Sequence, residues 1–362
     1  MAERIARPRI ADVAREAGVS KSAVSFAFNQ PERLRPETAQ RIRDVAARLG
    51  YRPHPVARML SAGQTATLGI VTPQPLDRAF ANPFFALFTQ GVARVAEEAG
   101  FALQFISPLE GSLDRALGRA TVDGIVVIGV GDRHSEIDAL RRTSLPVVVV
   151  DAPPWLDRGA VAVDDEGGAR EAARHLVALG HQQVLIVSME PPSLGSEVRE
   201  SVMARRLRGY LSELAAAASD GASQPWTVVA PASFEGGEAA FLTAWQDGMR
   251  PTGVLAMSDV AAIGVIRAAR SVGLAVPRDL SVVGFDDLPF TAFTDPPLTT
   301  VHQPVEVKGE EAARMLLEGI ADAGSTPRRQ VLETRLVIRG STASAAPAAL
   351  VGTPRQEVMA HA

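Results

Sequence analysis

The histidines are the first residues of this chain to test for metal or acid–base chemistry, and their spacing matches no metal-binding motif. They are His54, His134, His175, His181, His302 and His361. The chain contains no cysteine, which excludes a disulfide and a thiolate metal site. Gly129-Val130-Gly131 lacks the third glycine of a dinucleotide fingerprint, and no P-loop motif is present. We therefore expect no enzyme, no metal site and no cofactor.

The polar residues near position 20 suit a different chemistry, the reading of double-stranded DNA. Ser20 has the position and the chemistry of an N-cap for a helix over Lys21–Asn29, and Val24 packs inward from that helix. The outward face then consists of Lys21, Ser22, Ser25 and Phe26. In a helix-turn-helix, polar side chains on this face reach base edges in the major groove, and cations reach phosphates.

Two further helices must position that face. Ile10, Val13 and Ala14 recur at helical spacing, and a tight turn at Gly18 follows them. A third helix is predicted from about Pro36 to Leu49, with proline in its first turn. Its buried positions are Thr38, Ile42, Val45 and Leu49. An ordinary three-helix cap with no DNA-binding role is the alternative.

The charge of the chain is divided unevenly. Residues 1–60 contain 12 Lys and Arg against 6 Asp and Glu, a net charge of +6, whereas the rest contains 25 against 35, a net charge of −10. A basic head on an acidic protein concentrates the attraction to phosphates in one place. The charge distribution therefore favours the DNA-binding interpretation.

From Thr67 onward, short apolar strands alternate with helices in two consecutive βαβ series. The strand segments are TLGIVT, FALQFI, DGIVVIG, PVVVVD, QQVLIVS, WTVVA, GVLAMS and LSVVGF. Such a pattern predicts two doubly wound parallel-sheet subdomains, which bind a ligand between the carboxyl ends of their strands. With 46% hydrophobic residues, the chain can form sizeable cores. The predicted fold is an all-α helix-turn-helix head followed by an α/β core of two doubly wound parallel-sheet subdomains.

Three separated segments carry a resemblance to a known family. DVAREAGVSKSAVSFAFN, LGYRPHPVARML and VPRDLSVVGFDD resemble, in order and spacing, the bacterial lactose/galactose repressor (LacI/GalR) family of transcription regulators. The resemblance extends from about Arg9 to Gly340 and implies a periplasmic-binding-protein-like core. It also implies that the chain crosses between the subdomains near Asp164, Asp295 and Ser325.

The domain boundaries follow from the residue pattern and this resemblance together. We expect a head at 1–50, a hinge at 51–64, subdomain 1 at about 65–163 and 296–324, subdomain 2 at about 164–295 and 325–342, and a disordered tail at 343–362.

The resemblance implies DNA contacts from the head and from the hinge. The residues concerned are Ser20, Lys21, Ser22, Ala23, Ser25, Phe26, Asn29, Arg35, Tyr51, His54, Val56, Ala57 and Leu60. In the family, the segment matching Val56–Ser61 folds on the operator and the leucine matching Leu60 wedges into the minor groove. The sequence alone favours a plain linker over one or two helical turns for that segment, whereas the resemblance implies a hinge helix. Phe26 replaces an arginine with which several members read guanine, which leaves the operator sequence open.

The resemblance also implies an effector site. Arg206, three residues before Gly209, matches the arginine that grips the effector, and Asp286 matches a carboxylate that accepts hydrogen bonds from it. The other candidates are Phe84, Phe85, Asp164, Phe234, Ser258 and Gln303. Alternatives stay open: a solvated helix face for Arg206, helix capping for Asp286 and Ser258, and a core position for the phenylalanines of the Asn82-Pro83-Phe84-Phe85 segment. An aromatic face with a guanidinium and carboxylates suits a sugar, and a purine is the alternative.

We therefore predict a transcription regulator, most simply a repressor, that binds a palindromic double-stranded operator as a homodimer and responds to a small-molecule effector. A tetramer is left open. The alternative is a sugar- or nucleoside-binding module whose head serves protein association. Because the first residues contain no apolar segment of an export signal, and no apolar stretch reaches the length of a membrane span, we expect a cytoplasmic, nucleoid-associated bacterial protein with no membrane partner.

Overall fold

A computed structural model describes residues 8–52, 64–72, 74–108, 112–129, 134–151, 158–189, 201–218, 224–322, 324 and 326–345. The chain divides into two compact units, a helical head and an α/β core. The head unit comprises residues 1–67 with 121–123, and the core unit comprises residues 68–120 and 124–362.

The head contains the three helices that the sequence predicts. They are α1 (Ile10–Ala17), α2 (Lys21–Asn29) and α3 (Pro36–Leu49), with a 3₁₀ turn at Pro31–Arg33. Gly18 ends α1 in the left-handed conformation at φ 65°, which suits a residue without a Cβ atom. Val13, Val24 and Ile42 are fully buried in the head core. The helix-turn-helix prediction is confirmed.

Subdomain 1 is built on a six-stranded sheet with the order β11-β5-β4-β3-β1-β2. Its strands are β1 (Thr67–Val71), β2 (Ala102–Ile106), β3 (Gly124–Ile128), β4 (Val147–Val150), β5 (Gly159–Val163) and β11 (Arg329–Leu332). Its helices are α4 (Leu76–Ala81), α5 (Pro83–Glu98), α6 (Leu113–Leu117), α7 (His134–Arg142) and α12 (Val305–Ala321). Strands β3, β4 and β5 are buried throughout, as expected for parallel strands covered by helices.

Subdomain 2 contains a second six-stranded sheet, in the order β12-β10-β9-β8-β6-β7. Its strands are β6 (Val184–Ser188), β7 (Trp226–Val229), β8 (Gly253–Ala256), β9 (Ser281–Asp286), β10 (Thr299–His302) and β12 (Arg335–Val337). Its helices are α8 (Asp165–Ala178), α9 (Val202–Ala217), α10 (Phe234–Gln246) and α11 (Asp259–Ser271). None of the described helices has the length and apolar character that a membrane span requires.

Two of the three predicted crossings between subdomains are misplaced. Strand β10 pairs in parallel with β9, so the second crossing follows His302 instead of lying near Asp295. Strand β11 pairs with β5 of subdomain 1, so the third crossing follows Leu332 instead of lying near Ser325. These two positions were carried over from the resemblance, and the long-range pairing of β10 and β11 places both crossings further along this chain. The first crossing does lie at Asp164, where α8 begins and packs into subdomain 2.

Strand β5 was not among the strand segments assigned from the sequence. Its residues, GAVAV, include one glycine and two alanines, which have weak strand propensity. The strand forms because β4 and β11 pair with it from either side. Tertiary pairing therefore overrides the local preference of this segment.

The first residues of the predicted tail are bonded to subdomain 2. The carbonyl of Ala343 accepts a hydrogen bond from the Ser281 hydroxyl at 3.1 Å and lies 3.0 Å from Nε2 of the buried His181. The amide of Ala345 donates to the carbonyl of Leu179 at 2.8 Å. Residues 346–362 of the predicted tail lie outside the described part of the chain.

Candidate DNA interface and effector site

The N-terminal end of α2 presents the predicted polar face. The Ser20 hydroxyl accepts a hydrogen bond from the amide of Ala23 at 3.1 Å, so this residue caps the helix as the sequence predicts. The side chains of Ser20, Lys21 and Ser22 are exposed, and those of Ala23 and Ser25 are half-buried. Exposed hydroxyls and an exposed ammonium at a helix N-terminus can contact bases and phosphates.

Phe26 and Asn29 lie further along the same helix and are half-buried. The guanidinium carbon of Arg33 lies 4.3 Å from the centre of the Phe26 ring. Asn29 donates a side-chain hydrogen bond to the Ser25 hydroxyl at 3.3 Å. The phenylalanine therefore holds a cation beside the recognition helix, and Arg33 is a candidate DNA contact that the sequence analysis missed.

The remaining predicted DNA contacts lie outside α2, beside α3 or in the hinge. Arg35 is exposed immediately before Pro36, at the start of α3. Tyr51 is half-buried with its ring 6.0 Å from that of Phe28, and burial raises the pKa of its hydroxyl. This packing gives Tyr51 a role in the head core. His54, Val56, Ala57 and Leu60, the hinge candidates, lie outside the described residues.

Arg206 is the centre of the candidate effector site. It lies on α9 with only 4% of the residue exposed, which rules out a solvated helix face. Its Nε donates to Oδ1 of Asp165 at 2.9 Å, and its Nη1 donates to the carbonyl of Met257 at 2.7 Å. Its guanidinium lies over the Phe285 ring, 3.6 Å from the ring centre. The fork is thus held rigidly in a buried position.

Asp286 is the carboxylate that faces this arginine. Oδ1 of Asp286 lies 3.7 Å from Nη1 of Arg206 and accepts a hydrogen bond from Nε2 of Gln303 at 2.5 Å. The residue ends β9 at φ 124°, a strained conformation for a residue that carries a Cβ atom. Burial raises the pKa of Asp286 to about 6, with opposition from the charge of Arg206.

Gln303 connects Asp286 to a buried lysine. Oε1 of Gln303 accepts a hydrogen bond from Nζ of Lys308 at 2.7 Å. The same ammonium donates to both carboxylate oxygens of Asp151, at 3.0 and 2.9 Å. Gln303 is therefore a buried link between the strand ends of the two sheets.

Ser258 and Asp164 both act as helix caps. The buried Ser258 hydroxyl accepts a hydrogen bond from the amide of Ala261 at 3.4 Å. The exposed Asp164 carboxylate accepts one from the amide of Gly167 at 2.8 Å. The alternative role of Ser258 as a helix cap therefore matches its observed hydrogen bond. The buried carboxylate that pairs with Arg206 belongs to Asp165, the residue after Asp164.

The three predicted aromatic contacts fall in different surroundings. Phe85 is buried in the core of subdomain 1 with Phe80 and Phe105, as the core alternative holds. Phe84 is half-buried, and the centre of its ring lies 5.4 Å from Nζ of Lys308. Phe234 begins α10 with 38% of the residue exposed. Phe84 and Phe234 thus keep the exposure that a ligand contact requires.

Three charged residues near this site were missed by the sequence analysis: the buried Asp165 and Lys308, and the half-buried Asp151. Asp259, next to the predicted contact Ser258, is also buried. Asp259 accepts hydrogen bonds from the amide of Leu288 at 2.7 Å and from the Thr300 hydroxyl at 2.5 Å, and burial raises its pKa well above the usual value. One signal was available for Lys308, which is one of only two lysines among 37 basic residues.

The chain matches known families in both units. Residues 9–54 match bacterial regulatory proteins of the lacI family, and residues 173–342 match the periplasmic binding protein-like domain. An HTH-type transcriptional regulator of Mycobacterium tuberculosis is 35% identical over 362 residues, which cover 93% of this chain and 97% of that protein.

Solved structures agree with this match. The Lac repressor dimer bound to operator and the anti-inducer ONPF is similar with a TM-score of 0.79 and 26% identity, over 93% of this chain and 100% of that one. The complex of the transcriptional regulator CelR with cellobiose is similar with a TM-score of 0.67 and 27% identity, over 92% and 100%. This chain therefore belongs to the LacI family of bacterial regulatory proteins and is a DNA-binding regulator of transcription, not an enzyme.

Proposed function

We propose that this protein is a repressor that binds a palindromic operator as a homodimer and responds to an uncharged sugar bound between the strand ends of its two subdomains. The observation that carries this proposal is the buried set of Arg206, Asp286 and Gln303, which offers fixed donors and acceptors at that edge. A sugar hydroxyl can both donate and accept a hydrogen bond, so it matches such a set.

The pairing of the charges supports an uncharged ligand. Arg205 and Arg206 both pair with Asp165, Lys308 pairs with Asp151, and Arg339 pairs with Asp287. Among the described residues of the site, each of these cations already has a carboxylate partner, and the Asp286 carboxyl group lies 3.7 Å from Arg206 as well. A phosphate or carboxylate group on the ligand would meet no excess positive charge there. The CelR structure, described as a cellobiose complex, makes that disaccharide a rational first probe.

The effector is tested by calorimetric titration of the full chain with cellobiose, ribose, glucose 6-phosphate and hypoxanthine. The expected result is that an uncharged sugar binds and the phosphorylated one does not. Arg206→Met should abolish sugar binding, whereas Arg174→Ala should not, because Arg174 forms an exposed pair with Glu213 at 3.0 Å. Binding of hypoxanthine alone would replace the sugar proposal with the purine alternative.

DNA recognition is tested by selection of bound duplexes from a random pool, followed by gel shift. We expect a palindromic sequence, because a two-fold dimer presents two identical heads. Addition of the bound sugar should change the affinity for that duplex and leave non-specific binding unchanged. Absence of any preferred duplex would contradict the proposed palindromic operator.

Leu60→Ala tests the proposed hinge contact. Loss of an apolar wedge should weaken operator binding by about 1–3 kcal/mol and leave binding to unrelated duplexes unaltered. Equal losses on both duplexes would remove Leu60 from the account of specificity. We also place the protein in the bacterial cytoplasm, on the nucleoid.

The dimer is supported by one large exposed apolar residue. Phe293 ends the 3₁₀ helix Pro289–Phe293 with 88% of the residue exposed. Analytical ultracentrifugation should show a dimer for the full chain and a monomer–dimer equilibrium for Phe293→Glu. Val331→Glu serves as the control that stays dimeric, because Val331 is 57% exposed on β11, the end strand of the first sheet. A wild-type monomer at micromolar concentration would contradict the proposal.

A further inference from the structure

A continuous line of buried polar contacts joins the two sheets of the core. Asp151 bonds to Lys308, Lys308 to Gln303, and Gln303 to Asp286, which lies 3.7 Å from Arg206. Lys308 is fully buried, and Gln303, Asp286 and Arg206 are nearly so. Burial of a charged group is tolerated when the group is paired and hydrogen-bonded, and these four contacts supply such partners.

The line runs from one subdomain to the other. Asp151 directly follows β4, and Lys308 lies in the first turn of α12, both in subdomain 1. Asp286 ends β9 in subdomain 2. Gln303 lies on the second crossing, between β10 and α12. The contacts therefore connect the two parts of the core whose relative orientation an effector would favour.

The ammonium determines which way the Gln303 amide faces. An ammonium only donates hydrogen bonds, so the amide oxygen must face Lys308. The amide nitrogen then faces Asp286 and donates to it. With the amide reversed, two donors would oppose each other at Lys308, and two acceptors would oppose each other at Asp286. Lys308 thus orients the Gln303 amide so that its N–H group donates to the Asp286 carboxylate.

The residue type supports this role. Lys21 and Lys308 are the only lysines of the chain, and the other 35 basic residues are arginines. The three donors of the Lys308 ammonium match the two oxygens of Asp151 and the oxygen of Gln303. An arginine would bring a wider planar group with five donors into a fully buried position. The narrow head of lysine is therefore suited to this position.

We propose that Lys308 is a positioning residue of the effector site: anchored on Asp151, it orients Gln303 so that the Asp286 carboxylate of subdomain 2 is held ready to accept a hydrogen bond from a ligand hydroxyl. This role rests on the proposed function, in which a sugar occupies that site. It adds a specific residue through which ligand binding at Asp286 is linked to subdomain 1.

The pH dependence of ligand binding gives a readout that a merely structural role would not change. The charged groups that face Asp286 are Arg206 on α9, Asp165 on α8, Asp259 on α11 and Lys308 on α12. The positive charge of Lys308 lowers the pKa of Asp286. Loss of the ammonium therefore raises the pKa of Asp286 above about 6. Since the ionised carboxylate is the acceptor, the pH at which affinity reaches its plateau should move upward.

The first experiment uses the two lysines as reporters in the sugar-free full chain. Nuclear magnetic resonance of ¹³C,¹⁵N-lysine-labelled protein should give two side-chain signals, and Lys308→Met removes one and so assigns it. The Lys308 signal should shift near pH 6 as Asp286 titrates, whereas that of the exposed Lys21 should not, and Asp286→Asn should abolish the shift. A Lys308 signal that is unchanged through this range would overturn the link. This test does not depend on the identity of the effector.

The second experiment measures cellobiose affinity against pH for wild type, Lys308→Met and Asp151→Asn. Lys308→Met should weaken binding about tenfold near neutral pH, and part of the loss should be recovered at higher pH. Asp151→Asn should have a smaller effect, because the ammonium still orients Gln303. Operator binding and circular dichroism establish that each variant is folded. If Lys308→Met lowers cellobiose affinity by the same factor at every pH, the positioning role of Lys308 is contradicted. If the wild-type protein does not bind cellobiose, that result concerns the proposed function, and the first experiment decides the role of Lys308.

Discussion

The head and the core use charged side chains in opposite ways. In the head, Arg15 and Arg48 pair with Asp12 and Glu16, and the arginine side chains are 80% and 65% exposed. In the core, the Arg206 side chain is 5% exposed and is held between carboxylates, an aromatic ring and a backbone carbonyl. The head keeps these charges available to a partner, whereas the effector site of the core holds its charges in buried pairs.

This difference matches the two kinds of ligand. A DNA duplex brings its own dense charge, and exposed cations bind it by displacing counterions. A small uncharged effector brings only hydroxyl groups and apolar faces, so its site must supply donors and acceptors in fixed positions. We therefore expect salt to control the head and protonation to control the core, and the following predictions test that division.

The largest expected effect is that of salt on operator binding. If the heads of a dimer contact about 6–10 phosphates, affinity should fall by about 10³–10⁵-fold between 50 and 200 mM salt. Sugar affinity should change little over the same range, because the buried pairs of the core are weakly screened. Titration of operator and sugar at a series of salt concentrations measures both. A steep loss of sugar binding with salt would erase the distinction between the two units.

Arg206→Ala should cause the largest loss of stability among single substitutions of the core site. The free energy of unfolding should fall by about 3 kcal/mol, because removal of the guanidinium leaves the buried carboxyl groups of Asp165 and Asp286 without this partner. The loss should not be larger, since Arg205 still pairs with Asp165 at 2.8 Å. The exposed control Arg174→Ala should change stability by less than about 0.5 kcal/mol. Denaturant unfolding followed by fluorescence measures the free energy of unfolding of both variants. Equal losses would mean that the buried contacts of Arg206 stabilise the protein no more than the exposed pair of Arg174.

The protonation of Asp286 should appear as a smaller, pH-dependent effect. Because its pKa is raised to about 6 by burial, the folded core favours the protonated carboxyl. The contribution of Asp286 to stability is therefore fully present below about pH 4 and is lost as pH rises to about 6. The difference in free energy of unfolding between wild type and Asp286→Asn should decrease over that window and level off above it. A difference that increases with pH there would show that the carboxylate is favoured instead.

The smallest effect compares an exposed cap with a buried one. Ser20→Ala should lower the local stability of α2 by about 0.5 kcal/mol, because water can replace the lost bond to Ala23. Ser258→Ala should lower that of α11 by about 2 kcal/mol, because water has less access to the amide of Ala261. Hydrogen exchange of the two helix N-termini measures both. A larger loss at Ser20 would reverse the expected ranking of exposed and buried polar contacts.

The success of the sequence predictions follows the range of the interactions involved. The head helices were predicted with their caps because Ser20, Gly18 and Pro36 act on neighbouring backbone. Arg206, Asp286 and Gln303 were found through the family resemblance, and the structure brings them together. Their buried partners were missed, because a carboxylate that neutralises an arginine 41 positions away leaves no local pattern.

The sequence by itself determined the helix-turn-helix, the alternation of strands and helices, and the basic head on an acidic core, since each depends on spacing or on summed charge. Tertiary structure decided the rest. It placed β10 in subdomain 2, buried Phe85 in the core of subdomain 1, and paired Arg206 with Asp165, while the predicted effector contact Asp164 stayed exposed. The physical reason is that strand register and burial arise from contacts between residues far apart in the chain, and those contacts determine which charges are paired and which remain available to a ligand.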